Sequence, residues 1–252
     1  MIRLRSRREI KIIGEAAVIL HRAFDELRQA LQPGVRTLEL DEIAETAIRK
    51  GGGQSAFKGY RGFPRTLCVS INEEVVHGIP SARKLKQGDL ASLDLGVKYE
   101  GYYADAARSW IVGNGSKEAQ ELIRVSRGAF LAAVEAAAKD GARVGDLSWA
   151  VQQFVEGNGF GVVRDYVGHG IGQAIHEEPQ VPNFGKPGQG PKIETGLVLA
   201  IEPMVTAGHY AVETLSDGWT VVTKDRRLAS HYEDTVAFTE GGPVNLTGPE
   251  PV

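Results

Sequence analysis

Asp94 and Asp105 lie in two β-like stretches, Leu90–Val97 and Tyr102–Val112, joined by Lys98-Tyr99-Glu100-Gly101. With Tyr99-Glu100 as the two-residue turn, Asp94 faces Asp105 across the hairpin; a bulge at Gly101 would shift that register by one. Opposed cross-strand side chains have Cβ atoms about 5 Å apart. Two ionised carboxylates at that distance repel unless a cation lies between them. Asp94 also sits in the apolar run Leu93-Asp94-Leu95, where an unpaired charge is costly. On these residues alone three readings stay open: a metal-bridging pair, a pair sharing one proton, or a surface pair of Asp105 with Arg108. Metal ligation is favoured because more ligand-type residues follow.

His169 stands among glycines in Tyr166-Val167-Gly168-His169-Gly170-Ile171-Gly172. Glycine removes bulk, so that something can approach closely; the bland alternative is a packed core histidine. His176 follows, then Glu177-Glu178-Pro179, whose carboxylates read as surface charge or as support behind a site. Glu202 closes the apolar run Leu197–Ile201 and precedes Pro203; otherwise it is an edge-strand carboxylate paired to a base. Glu233, within His231-Tyr232-Glu233-Asp234-Thr235, is a ligand type or a solvated strand start. His77 falls between Val75-Val76 and the turn Gly78-Ile79-Pro80, a position that can line a cleft.

The elements that must position these residues are legible in part. Ser6 with Glu9 forms a capping-box pattern, and Ile10, Ile13, Ala17, Leu20, Phe24, Leu27 and Leu31 continue it as one apolar helix stripe. Thr37 is read as the cap of a second helix that ends at Gly51. A third runs from Ser116 to about Lys139, and a fourth from Asp146 to Gly157. Leu67–Ile71, Leu90–Val97, Tyr102–Val112, Leu197–Ile201, Trp219–Thr223 and Tyr232–Thr239 read as strands in antiparallel pairing. Shifting the chain by 107 places Gly34, Arg36, Leu40, Ile48 and Gly52 on Gly141, Arg143, Leu147, Val155 and Gly159. The expectation is one α+β domain over 1–252 with pseudo-twofold halves, about 1–113 and 114–240, a cleft between them and a frayed tail over 241–252.

Composition narrows the class. Hydrophobic residues at 42% and charged residues at 24% exclude disordered and fibrous chains. A net charge of −3 makes no case for DNA binding. No apolar run reaches the roughly 18 residues of a membrane span, and Arg3, Arg5, Arg7, Arg8 and Lys11 are not followed by a signal-peptide core. With Cys68 as the one cysteine no intrachain disulfide forms, which fits a reducing compartment and a cytoplasmic location. Nothing demands more than a monomer. The basic N-terminus reads as a solvated helix start, with weak contact to the acidic ribosome surface as the alternative.

Taken together, several stretches resemble the type I methionine aminopeptidases, metallopeptidases of the pita-bread fold whose wider family contains prolidases and X-Pro aminopeptidases. They are Gly59-Tyr60-Arg61-Gly62-Phe63-Pro64, Cys68-Val69-Ser70-Ile71-Asn72, His77-Gly78-Ile79-Pro80, Gly168–Gly172 with His176-Glu177-Glu178-Pro179-Gln180, Ile201-Glu202-Pro203-Met204, and Trp219–Asp225. They run in order over nearly the whole chain. The resemblance implies a pseudo-twofold antiparallel sheet with helices packed on its outer face. It implies five metal ligands, Asp94, Asp105, His169, Glu202 and Glu233, and substrate roles for His77 and His176. The methionine pocket maps onto Phe57, Tyr60, Phe63, Cys68, Ile175 and Trp219. Some relatives also hold a monovalent cation near Asn72 through backbone oxygens.

The activity implied is hydrolytic removal of the initiator methionine from nascent polypeptides. Such an oxygen-rich donor set suits Co, Mn, Fe(II) or Zn, and two ions about 3.5–4 Å apart can bridge a water and lower its pKa toward about 7. Glu202 is then the proton carrier, His176 polarises the carbonyl, and His77 binds the peptide beyond the scissile bond. The chain departs from the family pattern at Gly96, Ala106, Ala107, His231 and Asp234, which bears on metal affinity. Asp94-Leu95-Gly96 and Glu233-Asp234-Thr235 lean toward the prolidases. Against an X-Pro peptidase, the chain leaves no room for that group's large N-terminal domain. A non-catalytic peptide-binding relative would be expected to have lost ligands, and all five positions are filled.

Overall fold

The structure, a computed structural model, describes residues 1–248. Ser6 is extended, and Glu9 closes a capping box with it, opening α1 (Arg7–Ala30). The predicted stripe is the buried one: Ile13, Ala17, Leu20, Phe24 and Leu27 face the core. In α2 (Thr37–Lys50) the cap is Arg36, not Thr37; the Glu39 side chain reaches back to the Arg36 amide, 2.7 Å. Thr37 instead donates its hydroxyl to Ser81 O. Ser116 caps α3 (Lys117–Ala137). α4 (Val144–Gly157) starts two residues before Asp146, because Asp146 is the third helical residue that reaches back to the Arg143 amide.

The strands are β1 (Gln54–Ser55), β2 (Leu67–Ile71), β3 (Glu74–Val76), β4 (Leu90–Tyr99), β5 (Tyr102–Ile111), β6 (Gly161–Val162), β7 (Gly168–Gly170), β8 (Glu177–Val181), β9 (Val198–Ile201), β10 (Met204–Thr206), β11 (Val212–Thr214), β12 (Val221–Thr223), β13 (Ala229–His231), β14 (Glu233–Thr239) and β15 (Gly242–Asn245). The main sheet runs β1-β4-β5-β14-β9-β7-β8, with β2 on β4 and β15 on β14. Two three-stranded sheets, β13-β10-β6 and β11-β12-β3, complete it. Every strand pair among the described residues is antiparallel. One apolar cluster joins α1 and α2 to β2, β4 and β5; another joins α3 and α4 to β9 and β14. The fold is the α+β pita-bread architecture expected from sequence. α4 begins and ends 107 positions after α2, and Gly34, Gly52, Gly141 and Gly159 all take positive φ.

Three further expectations are corrected. The β4–β5 turn is Glu100-Gly101, both at positive φ (46° and 84°), the backbone that a two-residue turn needs to match strand twist. The register therefore slips by two: Asp94 pairs with Ala107 and Asp105 with Gly96. A slip of two keeps both aspartates on one face as a diagonal pair. The tail does not fray over its described part, because Gly242–Asn245 pairs with β14; residues 249–252 lie outside the described residues. Finally, the basic N-terminus is not wholly solvated. Arg5 is buried and its guanidinium donates to Glu177, whose other oxygen accepts from the Gln173 and Ala174 amides. A side chain at Gly172 would occupy the space of that guanidinium, so the glycine lets the arm lie against the loop that carries His176. Among the described residues, no helix is long and apolar enough to cross a membrane.

Candidate metal centre

The glycines around His169 admit neighbouring strands. A Cβ at Gly168 would stand 2.5 Å from Ala200 O, and one at Gly170 would strike Glu178 O. β7 is thereby pressed between β8 and β9, and His169 is buried with Nδ1 2.9 Å from Gly170 O. That leaves Nε2 to point inward. Glu202 follows β9, its backbone carbonyl held by Asn183 at 3.0 Å. Glu233 opens β14 opposite Ala107. Asp94 and Asp105 come from β4 and β5. Five side chains from five strands or strand ends thus meet at the middle of the main sheet.

Their ligand atoms form two overlapping groups, Asp94–His231–Glu233 and Asp105–His169–Glu233, with mutual separations within 4.8 Å in each. Glu202 adjoins both: its Oε1 is 3.6 Å from His169 Nε2 and its Oε2 is 3.4 Å from His231 Nε2. Among the described residues, Asp94 Oδ1, Asp105 Oδ1, Glu233 Oε1 and His231 Nε2 are buried without any hydrogen-bond partner. Native proteins seldom leave such atoms orphaned, and here all four belong to side chains of one cluster. Burial, reinforced by the neighbouring negative charges, holds Asp94, Glu202 and Glu233 far above the usual carboxylate range. Burial pushes Asp105 up to about 7 and both His169 and His231 down to about 3. The result is crowded carboxyls with neutral imidazoles. The residues fit divalent cations, which supply the positive charge and partners that the cluster lacks.

A cavity of about 270 Å³ opens onto this cluster. Phe57, Tyr60, Phe63, Cys68 and Trp219 line it, as do His77 and His176. Phe63 and Trp219 meet edge to face at 5.1 Å. Ile175 is not on the wall; it is buried behind Gly96, where a Cβ would come within 3.0 Å of it. His77 takes a left-handed φ of 61°, held because Gly78 packs directly on the Val69–Ser70 backbone. Its ring lies between Tyr166 and Trp219. His176 Nδ1 is 2.9 Å from the Tyr60 hydroxyl, and its ring is 4.3 Å from that of His169. Burial brings both His77 and His176 down to about 4, so each is neutral at pH 7.

Several residues were not anticipated at the site. Arg61, Val76, Tyr166 and Val167 line the cavity, and His231 faces the ligand cluster. The signal for His231 was the spacing itself, since positions 231 and 233 of one extended segment share a side. Asp234 points the other way. It takes hydrogen bonds from Arg108, Tyr232, Asn245 and Thr247, so its departure from the family pattern is spent on the fold. The Asn72 side chain is bonded to Asp89 and to the Leu90 amide, and its carbonyl accepts from Ala229.

Residues 11–240 match metallopeptidase family M24. The chain is 51% identical to a methionine aminopeptidase of Clostridium perfringens, over 98% of this chain and 99% of that protein. It superposes on the crystal structure of a methionine aminopeptidase from Thermotoga maritima with a TM-score of 0.95 at 43% identity, covering 98% of this chain and 99% of the other. A prolidase from Pyrococcus furiosus gives 0.77 at 25% identity, with 98% of this chain but 66% of that one covered.

Proposed function

This chain belongs to metallopeptidase family M24, and from that premise we propose that it is a methionine aminopeptidase that clears the N-terminal methionine from new polypeptides in the cytoplasm. The observation that carries this reading is the set of orphaned, buried ligand atoms at the foot of an aromatic cavity. Asp94, Asp105, His169, Glu202 and Glu233 are the side chains that would hold two divalent ions, which supply positive charge at the carbonyl and acidify an attacking water.

The chain's own residues do the rest. A carboxylate oxygen of Glu202 takes the proton of the attacking water and delivers it to the leaving amine. The Tyr60 hydroxyl lies 2.9 Å from His176 Nδ1; in this reading it donates there, and the neutral ring carries its proton on Nε2. That N–H then donates to the peptide carbonyl oxygen as charge grows on it. His77 hydrogen-bonds the peptide beyond the cleaved bond. Phe57, Tyr60, Phe63, Cys68 and Trp219 accept an unbranched thioether through apolar burial and sulfur–aromatic contact.

Two outcomes follow for single substitutions. His176→Ala is expected to lower kcat at least about 10²-fold, the scale of one lost oxyanion donor, with little change in KM. An unchanged kcat with a raised KM would reassign His176 to substrate binding. Gly96→Thr is expected to act on KM instead. A Cβ at 96 stands 2.8 Å from Phe57 Cε1 and 3.0 Å from Ile175 Cδ1, so the larger residue narrows the pocket. Steady-state kinetics on a methionyl peptide should show KM raised about tenfold, on the scale of a methylene-sized mismatch.

The X-Pro reading draws on the prolidase superposition and on Glu233-Asp234-Thr235, but Asp234 faces away from the cavity. Hydrolysis of Met-Ala-Ser that EDTA abolishes, with an X-Pro peptide untouched, is the expected result. Partial turnover of a norleucine-led peptide is expected too, since so small a change in an apolar pocket discriminates only modestly. The reverse preference would install the X-Pro reading. No turnover of either with metal present would leave a peptide-binding protein. Ribosome contact would fall to the exposed Arg3, Arg7, Arg8 and Lys11, and should appear as cosedimentation that salt weakens.

A further inference from the structure

We propose that His231 is a sixth metal donor, serving the Asp94 side of the centre as His169 serves the Asp105 side. The proposal rests on the metal centre described above and adds a residue to it. His231 is 1% exposed. Its backbone is fixed on both sides by one hydroxyl: Ser109 Oγ accepts from the His231 amide at 3.0 Å and donates to the His231 carbonyl at 2.8 Å. On β13, His231 also pairs with Met204, two residues past Glu202. The alternation of the strand then aims the imidazole at the cluster, while Tyr232 turns away to Asp234.

The aim ends on a nitrogen with no partner. Nε2 is buried and unbonded, 3.4 Å from Glu202 Oε2 and 3.9 Å from Glu233 Oε2. An N–H···O bond spans about 2.7–3.2 Å, so His231 is not simply a hydrogen-bond support for Glu202. Two donors about 2.1 Å from one ion at a tetrahedral angle stand about 3.4 Å apart. Asp94, His231 and Glu233 also form a complete donor group by themselves, within 4.8 Å of one another. With His231 counted, each side of the centre has one aspartate and one imidazole, and Glu233 belongs to both. A second imidazole also makes the centre richer in nitrogen, favouring Co or Zn over Mn.

The test is the proton NMR spectrum of the metal-free protein reconstituted with Co(II). A histidine bound to that paramagnetic ion shows one far-shifted ring N–H signal that disappears in D₂O. Two such signals are expected in the unmodified protein, one in His231→Gln and one in His169→Gln, with Co(II) affinity at one position lowered about tenfold or more in His231→Gln. A single signal in the unmodified protein overturns the proposal, as do two signals retained in His231→Gln even where affinity falls. Should His231→Gln not fold, His176→Ala decides: two signals there support ligation by His231, and one overturns it. Absence of bound Co(II) would instead bring down the metal centre itself.

Discussion

Asp105→Ala is expected to reduce kcat/KM on a methionyl peptide by at least about 10³-fold, some 4 kcal/mol of transition-state stabilisation, while the protein stays folded. Asp105 contributes an unpartnered buried oxygen to the cluster, and its carboxyl otherwise takes a hydrogen bond only from the adjacent Ala106 amide. What ties its strand in place is backbone: its amide donates to Thr235 Oγ1 and its carbonyl accepts from the same hydroxyl. Removing the carboxyl leaves those bonds intact and relieves repulsion with Asp94, Glu202 and Glu233. The metal-free variant should therefore melt no lower than the metal-free parent, and the gain should vanish once divalent ions are added. An Ala variant with near-normal turnover would remove Asp105 from the centre. A variant that is inactive because it is unfolded would show that the carboxyl serves the fold.

Stripped of divalent ions, the protein is expected to lose stability as pH rises from about 7 to 9. Folding holds Asp94, Glu202 and Glu233 far above, and Asp105 near 7, whereas these groups titrate near 4 in an unfolded chain. Over the intervening range the folded state carries protons that the unfolded state has lost, so stability falls with pH. The histidines oppose this at lower pH. His77, His169, His176 and His231 sit at about 3 to 4 in the fold, so below about 6.5 the unfolded chain binds the extra protons. Above that they are neutral in both states, and the carboxyls alone set the slope. Each proton contributes at most about 1.4 kcal/mol per pH unit, and 1 kcal/mol moves the melting temperature of a chain this size by about 2–4 °C. Calorimetry in EDTA should therefore show the melting temperature falling as pH rises from 7 to 9, flattened by added Mn(II). A metal-free melting temperature that holds steady or climbs over that window would mean the carboxyls are not crowded as described.

Legibility in the sequence tracked the source of each element's stability. α1 was readable because its amphipathic stripe and Ser6–Glu9 cap are local. β4 and β5 were readable in extent but not in register, because a glutamate such as Glu100 carries no sequence signal for positive φ. β7 carries no periodic signal at all: Gly168-His169-Gly170 is a strand only because β8 and β9 close on it. Arg3 to Lys11 reads as a solvated basic segment, since the partner of Arg5, Glu177, is remote in sequence. The five expected ligands were named through family likeness and converge in space. His231 stood in the same window as Glu233, yet a lone histidine beside a core strand looks alike whether it packs or ligates. Only the folded arrangement brings it to Glu202.

Titration of metal-free protein with Mn(II) or Co(II), counting bound ions against hydrolysis of Met-Ala-Ser, tests the centre most directly. The expected result is no turnover without metal and a rate that rises as up to two ions bind per chain. Full turnover with no divalent ion bound would contradict it.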